Sequence, residues 1–328
     1  MRILHVGAFH GPESNSWDEI PAAVPTEDWV FARAFRELGH EVVEFAKPRI
    51  RKLAGMLFLR AVYAMRPDFI FLGKVPWLSP RVLAIALKHH PCMSANWWGD
   101  ALLYPFVYDD GALVHWTFLT SGGDRLREAR HMGSRRAAYI PNPIDPSVFR
   151  RLPEAEKTHD CVFVGNRCGT RRTETLDLLE REGLVHVMGD RPDNRIYGHD
   201  YVRLINSARI GLGINSLDCD FDRFVSDRMN HFIACGTFFL TQYFPSLEQL
   251  FSRDEIDWFA SPSQCVAKVR YYLANPAERE AKAARATSKV QFSFSHLLVA
   301  EYVLGMVAGR RLEPWWNDVC CPRNTAAA

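Results

Sequence analysis

The stretch DCVFVGNRCGTRRTETLDLLE, residues 160–180, carries the strongest indication of the fold. Its apolar run, Asp160–Gly165, predicts a buried strand, and Thr173–Glu182 predicts the helix that follows. The loop between them holds two glycines and three arginines beside the helix N-terminus. Such a loop, leading from a strand into a helix, is where parallel α/β sheets bind phosphate groups.

The same alternation of strand and helix extends over the whole chain on both sides of this stretch. Further strands are predicted at Arg2–Gly7, Glu41–Phe45, Asp68–Gly73, Met93–Trp97, His115–Ser121, Val185–Gly189, Ile210–Ile214, Phe238–Thr241 and Ile256–Ala260. The main helices are predicted at Thr26–Leu38, Arg51–Met65, Pro80–His89, Gly123–His131, Asp200–Ala208, Ser226–Cys235, Ser263–Ala274, Ala277–Gln291 and Ser295–Ala308. This order predicts an α/β protein with doubly wound parallel sheets, whose ligands bind beyond the carboxyl ends of the strands.

A proline-rich segment, Tyr139–Asp145, interrupts the alternation, because strands do not continue through prolines. The 328 residues are enough for two domains that each bury a core. We therefore predict an N-terminal domain at 1–145 and a C-terminal domain at 146–300. A last helix and tail, 301–328, is predicted to cross back to the first domain.

Composition excludes some classes of function. A formal net charge of +2 gives no overall field for binding nucleic acid. The eight cysteines form no CxxC pair, and no Cys/His spacing is typical of a zinc site. We expect a reducing cytoplasm, no disulfides and no structural metal. We also expect no signal peptide, because the N-terminal apolar run is short, and no membrane-spanning segment, because no apolar stretch is long enough to span a bilayer.

A second phosphate-binding candidate is the segment Phe224–Gly236. Ser226 is a good N-cap, so the N–H groups after it are predicted to point toward an anion. Arg228 follows Asp227 in the first turn, where a positive charge opposes the helix dipole, which indicates that it serves a ligand. The alternative is that Arg228 pairs with Asp227 or Asp222. His231 lies on the same face, although a satisfied core histidine remains the alternative.

The order of the C-terminal segments resembles a known enzyme domain. Ser226–Gly236, Phe238–Thr241, Leu247–Phe251 and Lys268–Arg279 are similar to the glycosyltransferase domain of the spore-maturation-protein (CgeB)-like enzymes, relatives of the retaining GT-B family 4. The resemblance covers most of 158–305. It implies a GT-B fold, with two Rossmann-like domains facing across a cleft, and a nucleoside-diphosphate sugar held by the second domain.

The resemblance also assigns roles to individual residues. It implies that the base lies near Met188–Asp190 and the diphosphate near Ser226 and Arg228. Arg172 matches a family arginine, and Gly165, Asn166, Gly189 and Asp227 complete the implied donor site. The family usually has Glu where this chain has His231, and a neutral histidine cannot bind two ribose hydroxyls as a carboxylate does. The first glutamate of the retaining family's pair falls on Arg223.

The implied reaction transfers a sugar to a glycan or a lipid-linked acceptor. Arg172, Arg228 and the helix N-terminus at Ser226 would stabilise the leaving diphosphate, without a metal or other cofactor. An inverting enzyme needs a base from the first domain, and Asp100 and His10 follow strands there. The alternatives are a turn carboxylate and a polar loop residue. Trp97, Trp98 and Tyr104 are predicted to stack on a sugar, or otherwise to lie in the core.

Residues 49–66 are both basic and apolar. They are suited to contact an anionic membrane, as a lipid-linked acceptor at the inner face would require. The alternative is a crossover helix that packs on the sheet.

Two other classes of function remain open. The exchange of Glu for His231 is consistent with a non-catalytic protein that binds sugar nucleotides. An NAD-dependent or epimerase-type enzyme is disfavoured, because no Gly-x-Gly-x-x-Gly follows the first strand.

Overall fold

The computed structural model describes residues 1–9, 27–100, 102–217, 221–310, 312, 314, 316 and 319–320. This part of the chain forms two compact units. The first contains the described residues up to Asn142 and those from His296 onward, and the second contains Pro143–Ser295. The chain thus passes from one unit to the other inside the proline-rich segment.

The first unit is built on a seven-stranded sheet in the order β12-β6-β5-β4-β3-β1-β2. Its strands are β1 (Arg2–Gly7), β2 (Glu41–Ala46), β3 (Phe69–Leu72), β4 (Met93–Trp98), β5 (Trp116–Leu119), β6 (Ala137–Tyr139) and β12 (Val319–Cys320). All neighbours pair in parallel except β12, which runs antiparallel to β6. The strand order reverses between β1 and β3, so this is the switch point at which such sheets bind ligands.

The helices of the first unit bury apolar faces against this sheet. They are α1 (Glu27–Glu37), α2 (Ala54–Met65), α3 (Pro80–His89), α4 (Pro105–Leu113), α5 (Asp124–His131) and α11 (His296–Val307). Helix α2 buries Ala54, Phe58 and Val62, one per turn, so it is the crossover helix of the alternative interpretation. Residues Arg51–Leu53 form a separate 3-10 turn before it.

The second unit has a five-stranded parallel sheet in the order β11-β10-β9-β7-β8. Its strands are β7 (His159–Val164), β8 (His186–Met188), β9 (Ala208–Gly213), β10 (Phe238–Gln242) and β11 (Asp257–Phe259). Its helices are α6 (Thr170–Arg181), α7 (Gly198–Ser207), α8 (Asp227–Ala234), α9 (Pro262–Ala274) and α10 (Pro276–Ser293). The switch point lies between β7 and β9.

The predicted fold class is confirmed, and three elements were missed. Helix α4 has acidic residues and a glycine within a nine-residue segment, so it shows little helical periodicity. Strand β6 is only three residues, Ala-Ala-Tyr, and alanine is uncommon in strands. Strand β12 has two residues and depends entirely on pairing with β6.

Candidate functional site

Two glycines bring the backbone close together at the switch point of the second unit. Gly165, directly after β7, has a φ of +150° and donates its N–H to the carbonyl of Met188 at 2.8 Å. A Cβ on Gly189, whose φ is +80°, would lie 3.4 Å from the Gly165 nitrogen. Both glycines have a positive φ that other residues rarely adopt, so they shape the backbone at this edge of the sheet.

Arg172 joins the loop after β7 to the loop after β9. Its Nε and Nη2 donate to the Ile214 carbonyl at 3.1 and 2.7 Å. Its Nη1 donates to the backbone and side-chain oxygens of Asn166 at 2.8 and 2.6 Å. The side chain is 4% exposed. Most of the guanidinium N–H groups of Arg172 therefore bind the protein itself, and the contact of Arg172 and Asn166 with a diphosphate stays a prediction.

Arg228 is the cation that this arrangement leaves available. Its guanidinium carbon lies 4.7 Å from the centroid of the Phe163 ring, and its Nη2 would be 3.0 Å from a Cβ on Gly165. The side chain is half-buried and, within the described residues, makes no hydrogen bond or ion pair. A half-buried charge without a counterion is costly, which indicates a site that an anion completes.

The two guanidinium groups are close enough to repel each other. Arg172 also lies against Phe163, 5.3 Å from its centroid. Burial, and then Arg228, lower the pKa of Arg172 to about 9. Burial likewise lowers the pKa of Arg228, while Asp227 acts in the opposite direction. Because arginine stays protonated in proteins, two positive charges lie close together here, and an anion would relieve their repulsion.

The N-terminus of α8 lies beside Arg228 and is capped by the protein. Ser226 is the N-cap as predicted, and its hydroxyl accepts the Met229 N–H at 3.4 Å. The Asp227 carboxylate accepts the Arg228 N–H at 2.7 Å. An anion that approaches this helix end therefore meets the negative charge of Asp227, a residue that the resemblance places in the donor site.

His231 follows the alternative interpretation of a core histidine. It is 5% exposed and stacks on Phe149, with ring centroids 3.7 Å apart. Its Nδ1 lies 3.2 Å from the Tyr201 hydroxyl. Burial lowers the pKa of His231 to about 4, so the ring is neutral at pH 7. These contacts account for the side chain without a ligand.

Arg167, in the same loop as Arg172, forms ion pairs with three carboxylates. It pairs with Asp177 at 2.6 Å, Glu180 at 2.7 Å and Asp190 at 3.4 Å. The contact with Asp190 ties the loop after β8 to the loop after β7. Of the arginines at 167, 172 and 228, only Arg228 keeps its guanidinium free for a ligand among the described residues.

In the first unit, the predicted base Asp100 stands exposed after β4. It forms an ion pair with Lys74 at 3.1 Å, and the Lys74 ammonium lies 5.2 Å from the Trp98 ring centroid. Trp98 is 5% exposed and donates its indole N–H to the Leu102 carbonyl at 2.6 Å. Tyr104 packs edge-on against Trp98 and is 46% exposed, so it is the accessible aromatic of the predicted set.

Trp97 lies in the core, at a buried cluster that sequence reasoning missed. It is 1% exposed and donates its indole N–H to Asp28 at 3.1 Å. The Asp28 carboxylate also accepts the Ala8 N–H at 2.7 Å and lies 3.3 Å from His5 Nε2. Burial alone would raise the pKa of Asp28, but the bonds from His5, Ala8 and Trp97 hold it below its ordinary value. Trp97 is therefore not available to stack on a sugar.

Asp28 fills the switch point of the first unit. A Cβ on Gly7, at the end of β1, would lie 2.6 Å from its carboxyl carbon, and one on Gly73, after β3, would lie 1.8 Å from its Oδ1. The carboxylate can occupy this position only because both neighbours are glycine.

Three other predictions concern features that the structure addresses only in part. His10 and the loop 11–25 lie outside the described residues. Within the described part of the chain, no group of three or more His, Cys, Asp or Glu side chains is placed to hold a metal ion. No described helix combines the length and the hydropathy needed to cross a bilayer.

Most of the second unit lies in a segment that is similar to a known protein family. Residues 167–303 match the family model described as glycosyl transferase-like. This range includes Arg167, Arg172 and the whole of α8. No curated protein sequence matches the chain. Residues 167–303 are therefore similar to this family, and the available arginine, Arg228, lies within the matched segment.

The whole chain has the fold of GT-B glycosyltransferases. It superposes on HepE of Anabaena in complex with UDP-glucose, with a TM-score of 0.64 and 12% identity over 94% of this chain and 100% of that one. For sucrose-phosphate synthase from Thermosynechococcus elongatus the TM-score is 0.64, at 13% identity over 94% and 99%. For the lipopolysaccharide outer core galactosyltransferase WaaB the TM-score is 0.56, at 13% identity over 94% and 99%.

Proposed function

We propose that this protein is a glycosyltransferase that takes a sugar from a nucleoside-diphosphate sugar bound by its second unit. The observation that carries the proposal is the Arg228 guanidinium, which is half-buried, forms no ion pair with the described residues and lies against Phe163 and Gly165, where β7 ends. A diphosphate supplies the negative charge that this position lacks. The matched family and the GT-B fold support the same assignment.

Uridine diphosphate sugars are the first donors to test. The structure of HepE contains UDP-glucose, and a related structure of the same protein contains UDP and glucose. In our proposal the base lies near Met188–Asp190, where Arg167 fixes the loop through Asp190. The donor chemistry needs a stabilised leaving diphosphate, and Arg228 supplies positive charge at that place.

Arg172 contributes by position in this proposal. It binds the loop after β7 to the Ile214 carbonyl. This contact keeps Gly165 and Phe163 in place against the Arg228 side chain. Its own charge adds to the local potential. Placement of the protein in the CgeB-like branch remains part of the proposal, since the matched family model is the broader one.

On the acceptor side, we propose Asp100 as the base if the reaction inverts. It is exposed, and the ammonium of Lys74 holds its carboxylate in one place. Exposed Tyr104 offers a ring face for a sugar. The acceptor class, a glycan or a lipid-linked glycan, follows from the family resemblance. The free cysteines of the described residues suit a cytoplasmic protein.

A lipid-linked acceptor would agree with the outer surface of residues 49–66. Ile50 and Met56 are 61% and 60% exposed, next to the exposed bases Arg51 and Lys52. Exposed apolar groups among basic side chains favour the interface of an anionic bilayer. Met56→Gln should weaken flotation with anionic vesicles while leaving turnover of a soluble acceptor analogue unchanged.

Turnover is the test of the proposed activity. Release of nucleoside diphosphate is measured over a panel of nucleoside-diphosphate sugars, with glycan and lipid-linked acceptors. Arg228→Ala should abolish release, whereas Arg203→Ala, which removes an exposed arginine paired with Asp200, should not. Nucleotide binding without turnover on any acceptor would favour the non-catalytic alternative, which the buried, neutral His231 supports. Turnover that survives in Arg228→Ala would contradict the site assignment.

A further inference from the structure

A basic cleft lies in the first unit, at the edge of the sheet opposite its switch point. It is a cleft of about 810 Å³ at the amino ends of the strands, a volume typical of small-molecule sites. Its walls come from five separate parts of the chain. They are Arg2, Arg66, Pro67, Asp68, Ala84, Leu87, Lys88, His90, Pro91, Cys92, Met93, Leu113, His115 and Arg135.

The charges around this cleft are unbalanced. Its one carboxylate, Asp68, accepts the Arg2 backbone N–H at 2.7 Å and lies 3.8 Å from the Arg2 guanidinium. The other three permanent cations are Arg66, Lys88 and Arg135. In the described structure none of these three has a carboxylate within ion-pair distance. The cleft therefore carries a net positive charge that the protein does not neutralise.

Helix ends explain only part of this arrangement. Arg66 is the C-cap of α2, and Lys88 lies in the last turn of α3, where positive charges stabilise the helix dipole. Arg135 lies outside the helices, between α5 and β6. Dipole stabilisation requires one cation near each helix end, but it does not require cations from three segments to share one cavity.

The partly buried side of the cleft, here called its floor, is mostly apolar, whereas Arg66, Lys88 and Arg135 are exposed. Leu87, Met93 and Leu113 line it, together with Cys92. Burial raises the pKa of the Cys92 thiol to about 11. Burial lowers the pKa of His115, and Arg135 and Arg136 lower it further, so that its ring adds a polar but neutral group at neutral pH. A basic rim over an apolar floor suits a ligand with a charged end and an apolar body.

We propose that this cleft binds an organic phosphate. The phosphate or diphosphate group lies among Arg66, Lys88 and Arg135, and the apolar part lies on the floor that contains Cys92. The volume is too large for inorganic phosphate alone, which is about the size of a few water molecules. Either a soluble phosphate ester or a phospholipid headgroup has this chemistry. The site is separate from the switch points of both units and does not depend on the proposed donor site.

Calorimetric titration with phenyl phosphate tests the proposal in the Arg228→Ala background, which silences the donor site. The double variant Arg66→Gln/Arg135→Gln should bind about a hundredfold more weakly, since each lost charge-assisted hydrogen bond is worth of the order of 1.4 kcal/mol, a factor of about ten. The control Arg81→Gln/Arg127→Gln removes the same charge from exposed positions of α3 and α5 and should bind like its parent. Phenol, which lacks the phosphate, should not bind.

Alkylation of Cys92 locates the ligand. Because Cys92 lines the floor, phenyl phosphate should slow its modification several-fold, measured by peptide mass spectrometry, and leave exposed Cys168 unchanged. Phosphatidylcholine vesicles with and without phosphatidic acid separate the two sources. Protection of Cys92 by phosphatidic acid alone identifies a lipid headgroup, and protection by phenyl phosphate alone identifies a soluble ester. Binding of neither probe, or equal binding by the cleft and control variants, overturns the proposal.

Discussion

Arg172 donates two hydrogen bonds to the carbonyl of Ile214, 42 residues away in sequence, through Nε at 3.1 Å and Nη2 at 2.7 Å. These two hydrogen bonds span the switch point of the second unit, from the loop after β7 to the loop after β9. A residue that sequence reasoning assigned to the ligand is thus used to build the surface that the ligand would meet.

Replacement of the Arg172 guanidinium by the single ammonium group of lysine should destabilise the second unit. Arg172→Lys cannot bond Ile214 twice and reach Asn166, so we expect a loss of about 2 kcal/mol in the free energy of unfolding. Urea denaturation measures it. The control Arg203→Lys changes an exposed arginine and should stay within about 0.5 kcal/mol of the parent. Equal stability of the two variants would show that these hydrogen bonds do not hold the loops.

His231 should make the stability depend on acid pH. Its folded pKa of about 4 lies below the ordinary 6.5, so the unfolded chain takes up the proton first. The contribution is complete above pH 6.5 and is lost as the pH falls toward 4, by at most about 1.4 kcal/mol per pH unit. Urea midpoints at several pH values measure it. His231→Gln should show a shallower fall over this interval, whereas parallel curves would refute the assignment.

Removal of the negative charge at the N-terminus of α8 should strengthen nucleotide binding. Asn in place of Asp227 can still accept the Arg228 N–H, yet it no longer repels a diphosphate. Asp227→Asn is expected to bind the nucleoside diphosphate about fivefold more tightly by calorimetry, a gain of the order of 1 kcal/mol. Asp200→Asn, at an exposed position on α7, is the control. Weaker binding in Asp227→Asn would show that the carboxylate contributes a contact to the ligand.

The buried carboxylate of the first unit should be sensitive to loss of its charge. In Asp28→Asn, one acceptor oxygen becomes an amide donor against Ala8 N–H, Trp97 N–H or His5. We expect a loss of about 3 kcal/mol in the free energy of unfolding. Urea denaturation monitored by tryptophan fluorescence measures this loss. Asp124→Asn, at an exposed position on α5, should change it little. Comparable small effects would mean that the cluster is not a structural support.

The alternation of apolar runs and punctuating glycines was enough to predict the fold class and most elements, because periodicity is a local property. Helix α3 begins and ends where it was predicted, at Pro80 and His89. Local signals also identified Ser226 as an N-cap. What local signals could not provide was the partner of each polar side chain, which depends on the tertiary structure.

Three outcomes illustrate this limit. The sequence does not distinguish Arg172 from Arg228. In the structure, Arg172 is bound to the Ile214 carbonyl, whereas the guanidinium of Arg228 lies over Phe163 and is available for a ligand. In the sequence, Asp28 looks like an ordinary acidic residue in the first turn of a helix, and only the structure shows its contacts with His5 and Trp97. The cationic cleft draws on residues from 2 to 135, so no spacing in the sequence indicates it.

The measurement that tests the central claim most directly is a thermal-shift screen of UDP, GDP, CDP, TDP and ADP on the parent protein and on Arg228→Ala. A ligand that binds only the folded protein raises its melting temperature by mass action. The account predicts a clear rise with one nucleotide, absent in Arg228→Ala and retained in Arg203→Ala. No rise with any of the five on folded protein, or an equal rise in Arg228→Ala, would contradict a donor site built around Arg228.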